Sequence, residues 1–99
     1  MAARVVLAVE VQQDIDESYT WYERRRIGLG EEFLSSVDAI VHATCHFPEV
    51  HPIVHESYRR GLVHRFPYAV YYEYANDTVT VYGVLHTSRD PAKWRERLR

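Results

Sequence analysis

Hydrophobic and polar residues alternate most sharply between positions 68 and 85. Val70, Tyr72 and Tyr74 fall on one side of an extended chain, and Ala69, Tyr71 and Glu73 on the other. Asn76-Asp77 separates this run from Thr78-Val79-Thr80-Val81-Tyr82-Gly83-Val84-Leu85. Two residues that tolerate positive φ, set between β-branched and aromatic runs, predict a tight hairpin. Two strands this apolar on one face need cover from the rest of the chain.

Upstream the period lengthens to that of a helix. Ile15, Tyr19, Tyr22 and Ile27 form an approximate stripe flanked by Trp21, with Asp16, Glu17, Glu23 and Arg24 on the other side. Gly28 predicts a left-handed end to this helix. A second helix opens at Gly30-Glu31-Glu32 and carries Phe33, Leu34, Val37, Ile40, Val41 and Thr44 at spacings of three and four, until Pro48 stops it. About three residues between the helices force them side by side. A short strand over 4–9 precedes them, at or near a sheet edge. A connector containing proline and histidine occupies 48–57, and a strand begins at 58–61 and breaks at Phe66-Pro67. Asp90 and Pro91 predict the N-cap and first turn of a short C-terminal helix. The pattern therefore predicts one α+β domain over 1–99, in the order β-α-α-β-β-β. Its helical hairpin packs on one face of a mainly antiparallel four-stranded sheet, leaving the other face and the C-terminal turn exposed.

Composition narrows the class. At 46% hydrophobic and 13% aromatic, the 99 residues describe a globular domain rather than a disordered one. Lone Cys45 excludes an internal disulfide framework, and the five apolar residues 5–9 are too few for a signal-peptide core or a membrane span. Both point to the cytoplasm. Net charge is −2, unevenly placed: residues 1–49 carry four Arg/Lys against nine Asp/Glu, and residues 50–99 carry eight against five. An acidic or anionic partner is therefore expected at the back half.

The histidines invite a metal reading. His42 and His46 sit one helical turn apart, with Cys45 beside them and His51 and His55 downstream. Cys45 points about 100° away from His46 on a helix, and no HExxH glutamate is present, so no metal and no cofactor are expected.

Phe66-Pro67-Tyr68 with Tyr72, followed by V-L-H-x-x-R-D-P-x-x-W-x-x-R over 84–97, resembles the RelE/ParE toxin superfamily of bacterial type II toxin–antitoxin systems. The D-I-x-x-S-Y-x-W-Y stretch over 14–22 and G-x-G-x-x-F over 28–33 sit where family members carry their helical hairpin, so the resemblance covers about 4–97. It implies the fold above, an antitoxin partner and growth arrest. One branch of the family cleaves messenger RNA in the ribosome. The ParE-like branch traps DNA gyrase on cleaved DNA without catalysis of its own.

Nuclease members resemble one another in carrying an arginine near the position of Ala69 here. That departure removes a phosphate clamp, which in-line attack of a 2′-hydroxyl needs. A substitute nuclease site would draw on Arg60, Arg65, His86 and Arg89. The end of the chain resembles the gyrase-directed branch, so no catalytic residue is expected. Arg89, Lys93, Trp94, Arg97, Arg59 and Arg60 become the expected gyrase-binding set, with Trp94 folded back on the sheet and Arg89, Lys93 and Arg97 facing outward. Tyr19, Trp21, Tyr22, Phe33, Tyr68 and Tyr71 are the expected antitoxin contacts, for a segment laid along the helices or added to the sheet. The alternatives are a ribosome-dependent messenger endoribonuclease and an inactive binding member of the same fold.

Overall fold

Alternation in the C-terminal half sets the frame. β4 (Tyr68–Ala75) and β5 (Thr78–His86) pair antiparallel across Asn76 and Asp77, whose φ angles of 53° and 58° make the left-handed two-residue turn that their residue types favour. The structure is a computed structural model and describes residues 2–88 and 91–98. β3 (Tyr58–Leu62) pairs antiparallel with β4, β2 (Ile53–His55) pairs antiparallel with β3, and β1 (Arg4–Leu7) runs parallel to β5. The sheet has five strands in the order β1-β5-β4-β3-β2. It is mixed, which corrects the expected four-stranded antiparallel sheet. The added strand lies inside the stretch read as a connector, and the parallel pair is set by long-range packing that no local pattern displays.

The helical hairpin consists of α1 (Val9–Arg25) and α2 (Leu29–His46). Gly28 is left-handed at φ 91°, but it opens α2 rather than closing α1. Having no side chain, it cannot cap the helix it opens. The Glu23 carboxylate does so from α1, accepting the N–H groups of Gly28 and Gly30 at 3.0 Å each. Gly30 also permits close approach, since a Cβ there would stand 2.8 Å from the Tyr19 ring.

Val11, Tyr22, Phe33 and Val37 from the helices meet Val70, Tyr72, Val79, Val81 and Val84 from the sheet, with Phe66 and Tyr68 closing one end. Strict alternation would not turn both Val81 and Val84 toward the helices. A bulge opposite Tyr71 and Tyr72 resolves this: Tyr71 pairs with Gly83 and Tyr72 with Val81, so Tyr82 is the extra residue.

The other face of the sheet holds a second, smaller cluster of Ala69, Tyr71 and Leu98, with Val54, Tyr58, Tyr82, Leu85 and Trp94 against it. It is covered by α3 (Pro91–Arg97), so the face expected to be bare is roofed by the tail. The predicted N-cap Asp90 lies outside the described residues. Among the described residues no helix is long and apolar enough to cross a membrane.

Candidate macromolecule-binding site

Trp94 stacks on Tyr71 with ring centroids 5.4 Å apart and 12° between planes, and Leu98 is buried beside it. Aromatic stacking and one leucine thus hold α3 on the sheet, as expected for Trp94. Lys93 is exposed, and the Arg95 guanidinium lies 5.3 Å from the Trp94 ring centre. Arg60 stands opposite Tyr71 in register, on the same face. Neither Lys93 nor Arg60 has an ion-pair partner among the described residues. Lys93 and Arg95 are exposed and Arg60 is half-buried, and Lys93 borders a groove also lined by Glu10, Asp14, Glu17 and Glu96.

Arg97 does not join the exposed cations. Its guanidinium turns inward and grips Asp14 with bonds of 2.7 and 3.0 Å, while also donating to the Tyr82 carbonyl at 3.2 Å. The Asp14 bonds hold Arg97 even more firmly protonated than usual. The expected outward Arg97 is thereby corrected: the carboxylate offers a bidentate partner that solvent cannot match. Arg59 is likewise spent, donating to the Glu49 and His51 carbonyls at 3.0 and 2.7 Å from a side chain only 18% exposed. It ties the connector to β3 rather than facing a target. Arg89 lies outside the described residues.

Three members of the substitute nuclease set, Arg60, Arg65 and His86, fall within the described residues. Arg65 bonds Glu32 at 3.1 Å, and Glu32 also receives Arg26 at 2.7 Å; these two cations lower its pKa, Arg26 most. His86 meets Tyr68 edge-on at 5.2 Å, and its Nδ1 accepts the Ser88 N–H. No bond or ring contact joins any two of Arg60, Arg65 and His86. Ala69 is fully buried in the cluster containing Leu98.

Burial also revises the antitoxin set. Phe33, Tyr22 and Tyr68 form a core aromatic group with Phe66, at centroid distances of 4.9 to 6.0 Å, and Tyr71 lies under Trp94. Tyr22, Phe33, Tyr68 and Tyr71 are therefore not surface contacts. Tyr19 is half-buried and donates its hydroxyl to Glu31, which raises its pKa. Trp21 stays 46% exposed, with Arg25 stacked 4.0 Å from its ring centre.

A further exposed surface is the outer edge of β1. Val5, Val6 and Leu7 are 45–47% exposed. Arg4 and Ala8 donate their N–H groups inward, to Asp77 and Val81, so alternation turns those of Val5 and Leu7 outward. An unbroken apolar run so near the start of the chain was its signal. At the histidines, His42 and His46 meet at 4.6 Å, but Cys45 is buried, and the described residues hold no group of three metal-binding side chains.

Comparison with known families then decides the lineage. The model of the ParE toxin of type II toxin–antitoxin systems, parDE, matches residues 5–91. The chain belongs to the ParE toxin family. Among solved structures it is similar to a chain of the chromosomal ParDE system from P. aeruginosa, with TM-score 0.64 and 15% identity, over 88% of this chain and 98% of that one. That likeness shows the fold. None of the curated proteins compared matches in sequence. The ParE match takes in both long helices and all five strands except Arg4 at the start of β1, but stops at the first residue of α3, so Trp94 and Arg97 lie beyond it. Membership in a toxin–antitoxin family implies an antitoxin partner for this ParE chain.

Proposed function

We propose that this ParE-family toxin acts without catalysis, binding DNA gyrase in the bacterial cytoplasm and arresting growth until its antitoxin neutralises it. The observation that carries this reading is the burial of Ala69 beneath the tail. At or beside the place where nuclease relatives carry a phosphate-binding arginine, this chain has a methyl group packed with Leu98, and a guanidinium at Ala69 would have to expel the tail. The exposed Lys93 and Arg95 of α3 suit acidic groups on a protein target. For the antitoxin, the open edge of β1 suits an added strand, its backbone groups supplying the affinity and its apolar side chains the register. Trp21 is the aromatic anchor on the helices.

Purified protein mixed with gyrase and supercoiled plasmid should accumulate linear DNA. Unchanged supercoiling, combined with cuts in a message on translating ribosomes, would return the chain to the nuclease branch. Replacing both Lys93 and Arg95 by alanine should weaken gyrase trapping at least tenfold while leaving the melting temperature within a few degrees.

A further inference from the structure

β1 accompanies β5 only as far as the Leu7–Val81 pair, and Ala8 supplies the last backbone bond, to the Val81 carbonyl. Beyond that point the edge of β5 would face solvent with unpaired groups. Two side chains take the missing strand's place. Asp14 from α1 accepts the Val84 N–H at 3.1 Å, and Arg97 from α3 donates to the Tyr82 carbonyl at 3.2 Å. Each then grips the other through two bonds, with side-chain exposures of 10% for Asp14 and 24% for Arg97. The pair joins positions 83 residues apart, tying the first helix to the last. Neighbouring polar groups are otherwise engaged: Gln12 bonds Asp16, and Gln13 bonds Glu17. Glu10 and Glu17 lie near enough to favour the charge on Arg97 without bonding it.

We propose that Asp14 is a positioning residue for the target-binding tail: by clasping Arg97 it fixes α3 across the sheet with Lys93 and Arg95 facing outward, and growth arrest requires the clasp to be closed. This rests on the reading of α3 as the target-binding surface. The clasp has a polarity, because the Val84 N–H it engages can only donate and the Tyr82 carbonyl can only accept. Exchanging the two charges therefore sets a guanidinium against an N–H and a carboxylate against a carbonyl. Neither Asp14 nor Arg97 belongs to the cluster under the helices. Opening the clasp should consequently release the tail without unfolding the domain.

The test compares the full-length chain with Asp14→Asn, Arg97→Met, Arg97→Lys and the exchanged pair Asp14→Arg with Arg97→Asp. Hydrogen exchange at residues 95–98, the melting transition and growth arrest on induction are measured for each. Asp14→Asn and Arg97→Met should raise exchange in the tail at least tenfold and cut arrest at least tenfold, with one cooperative melting transition retained. Arg97→Lys, which keeps a single charged bond, should recover part of both effects, and the exchanged pair should recover neither. Unchanged tail exchange in Asp14→Asn would overturn the clasp. A freely exchanging tail with undiminished arrest would overturn its positioning role, as would recovery by the exchanged pair. The gyrase assay is read separately: arrest that depends on Asp14 without gyrase trapping would sink the gyrase reading and leave the clasp standing. A wild-type chain that arrests nothing would overturn both.

Discussion

The two faces of this sheet are covered in different ways. One lies beneath two helices of 17 and 18 residues, whose apolar stripes interdigitate with valines and aromatic rings from β4, β5 and the loop before β4. The other lies beneath a seven-residue helix whose attachments among the described residues include the Trp94–Tyr71 stack, Leu98 and the Arg97–Asp14 pair. The first arrangement spreads its stabilisation over many buried contacts, so no single polar group decides it. The second concentrates attachment in a few groups, each of which decides whether the tail is in place. The helical side makes the domain, and the tail side makes a surface that can be altered without dissolving the domain.

The largest expected effect falls on the helical side. Phe33 is wholly buried and touches Tyr22, Phe66 and Tyr68, so Phe33→Ala should cost about 3–5 kcal/mol in urea unfolding. That is a large share of the stability of a domain this size. On the tail side, Leu98→Ala should cost about 2 kcal/mol, since Leu98 is buried against Ala69 and Tyr71. Its consequence should be local: faster exchange in α3 with the amides of α1 and α2 still protected. Equal losses of protection on both faces would break the contrast.

A smaller effect separates capping from packing within the helical side. Glu23→Ala removes the acceptor for the Gly28 and Gly30 N–H groups, and should lower stability by about 1 kcal/mol. Thermal melts of Glu23→Ala and Glu23→Gln would check it, the glutamine keeping an acceptor oxygen and much of the stability.

How far these features were legible follows from their range along the chain. The hairpin at Asn76-Asp77, the alternation of β4 and both long helices rest on local chemistry, and the structure has them where the pattern places them. β2 is hidden in the sequence because Ile53–His55 is three residues beside Pro52, too short for a periodic signal, and only pairing with β3 makes it a strand. Tyr71 was read as surface because the chain alone does not show that Trp94 returns to cover it. Tyr22, Phe33 and Tyr68 were misread differently. A tyrosine or phenylalanine at a stripe edge suits either a core or an interface, and only the packed partner decides. Asp14 lies in the first helix, and its partner lies at the far end of the sequence. Ionic contacts of that range leave no periodic trace.

The smallest effect sharpens the comparison through pH. His51 sits on the helical side, edge-on to Tyr72 and against Gly61, and its Nε2 is buried with no partner among the described residues. Burial lowers its pKa, and the nearby Arg59 guanidinium lowers it further. The unfolded chain therefore binds a proton at this position more readily than the folded one. Its contribution to stability is whole above the ordinary histidine value near 6.5, and declines as pH falls from there toward the lower folded value. His51→Gln should accordingly flatten the loss of stability between about pH 7 and pH 5 relative to wild type, other groups contributing equally to both. Exchange at mildly acid pH should rise first in residues 47–53, where protonation sets a second cation beside Arg59. If the tail loosens there before the connector does, the acid-sensitive point lies on the other face, and His51 is not its source.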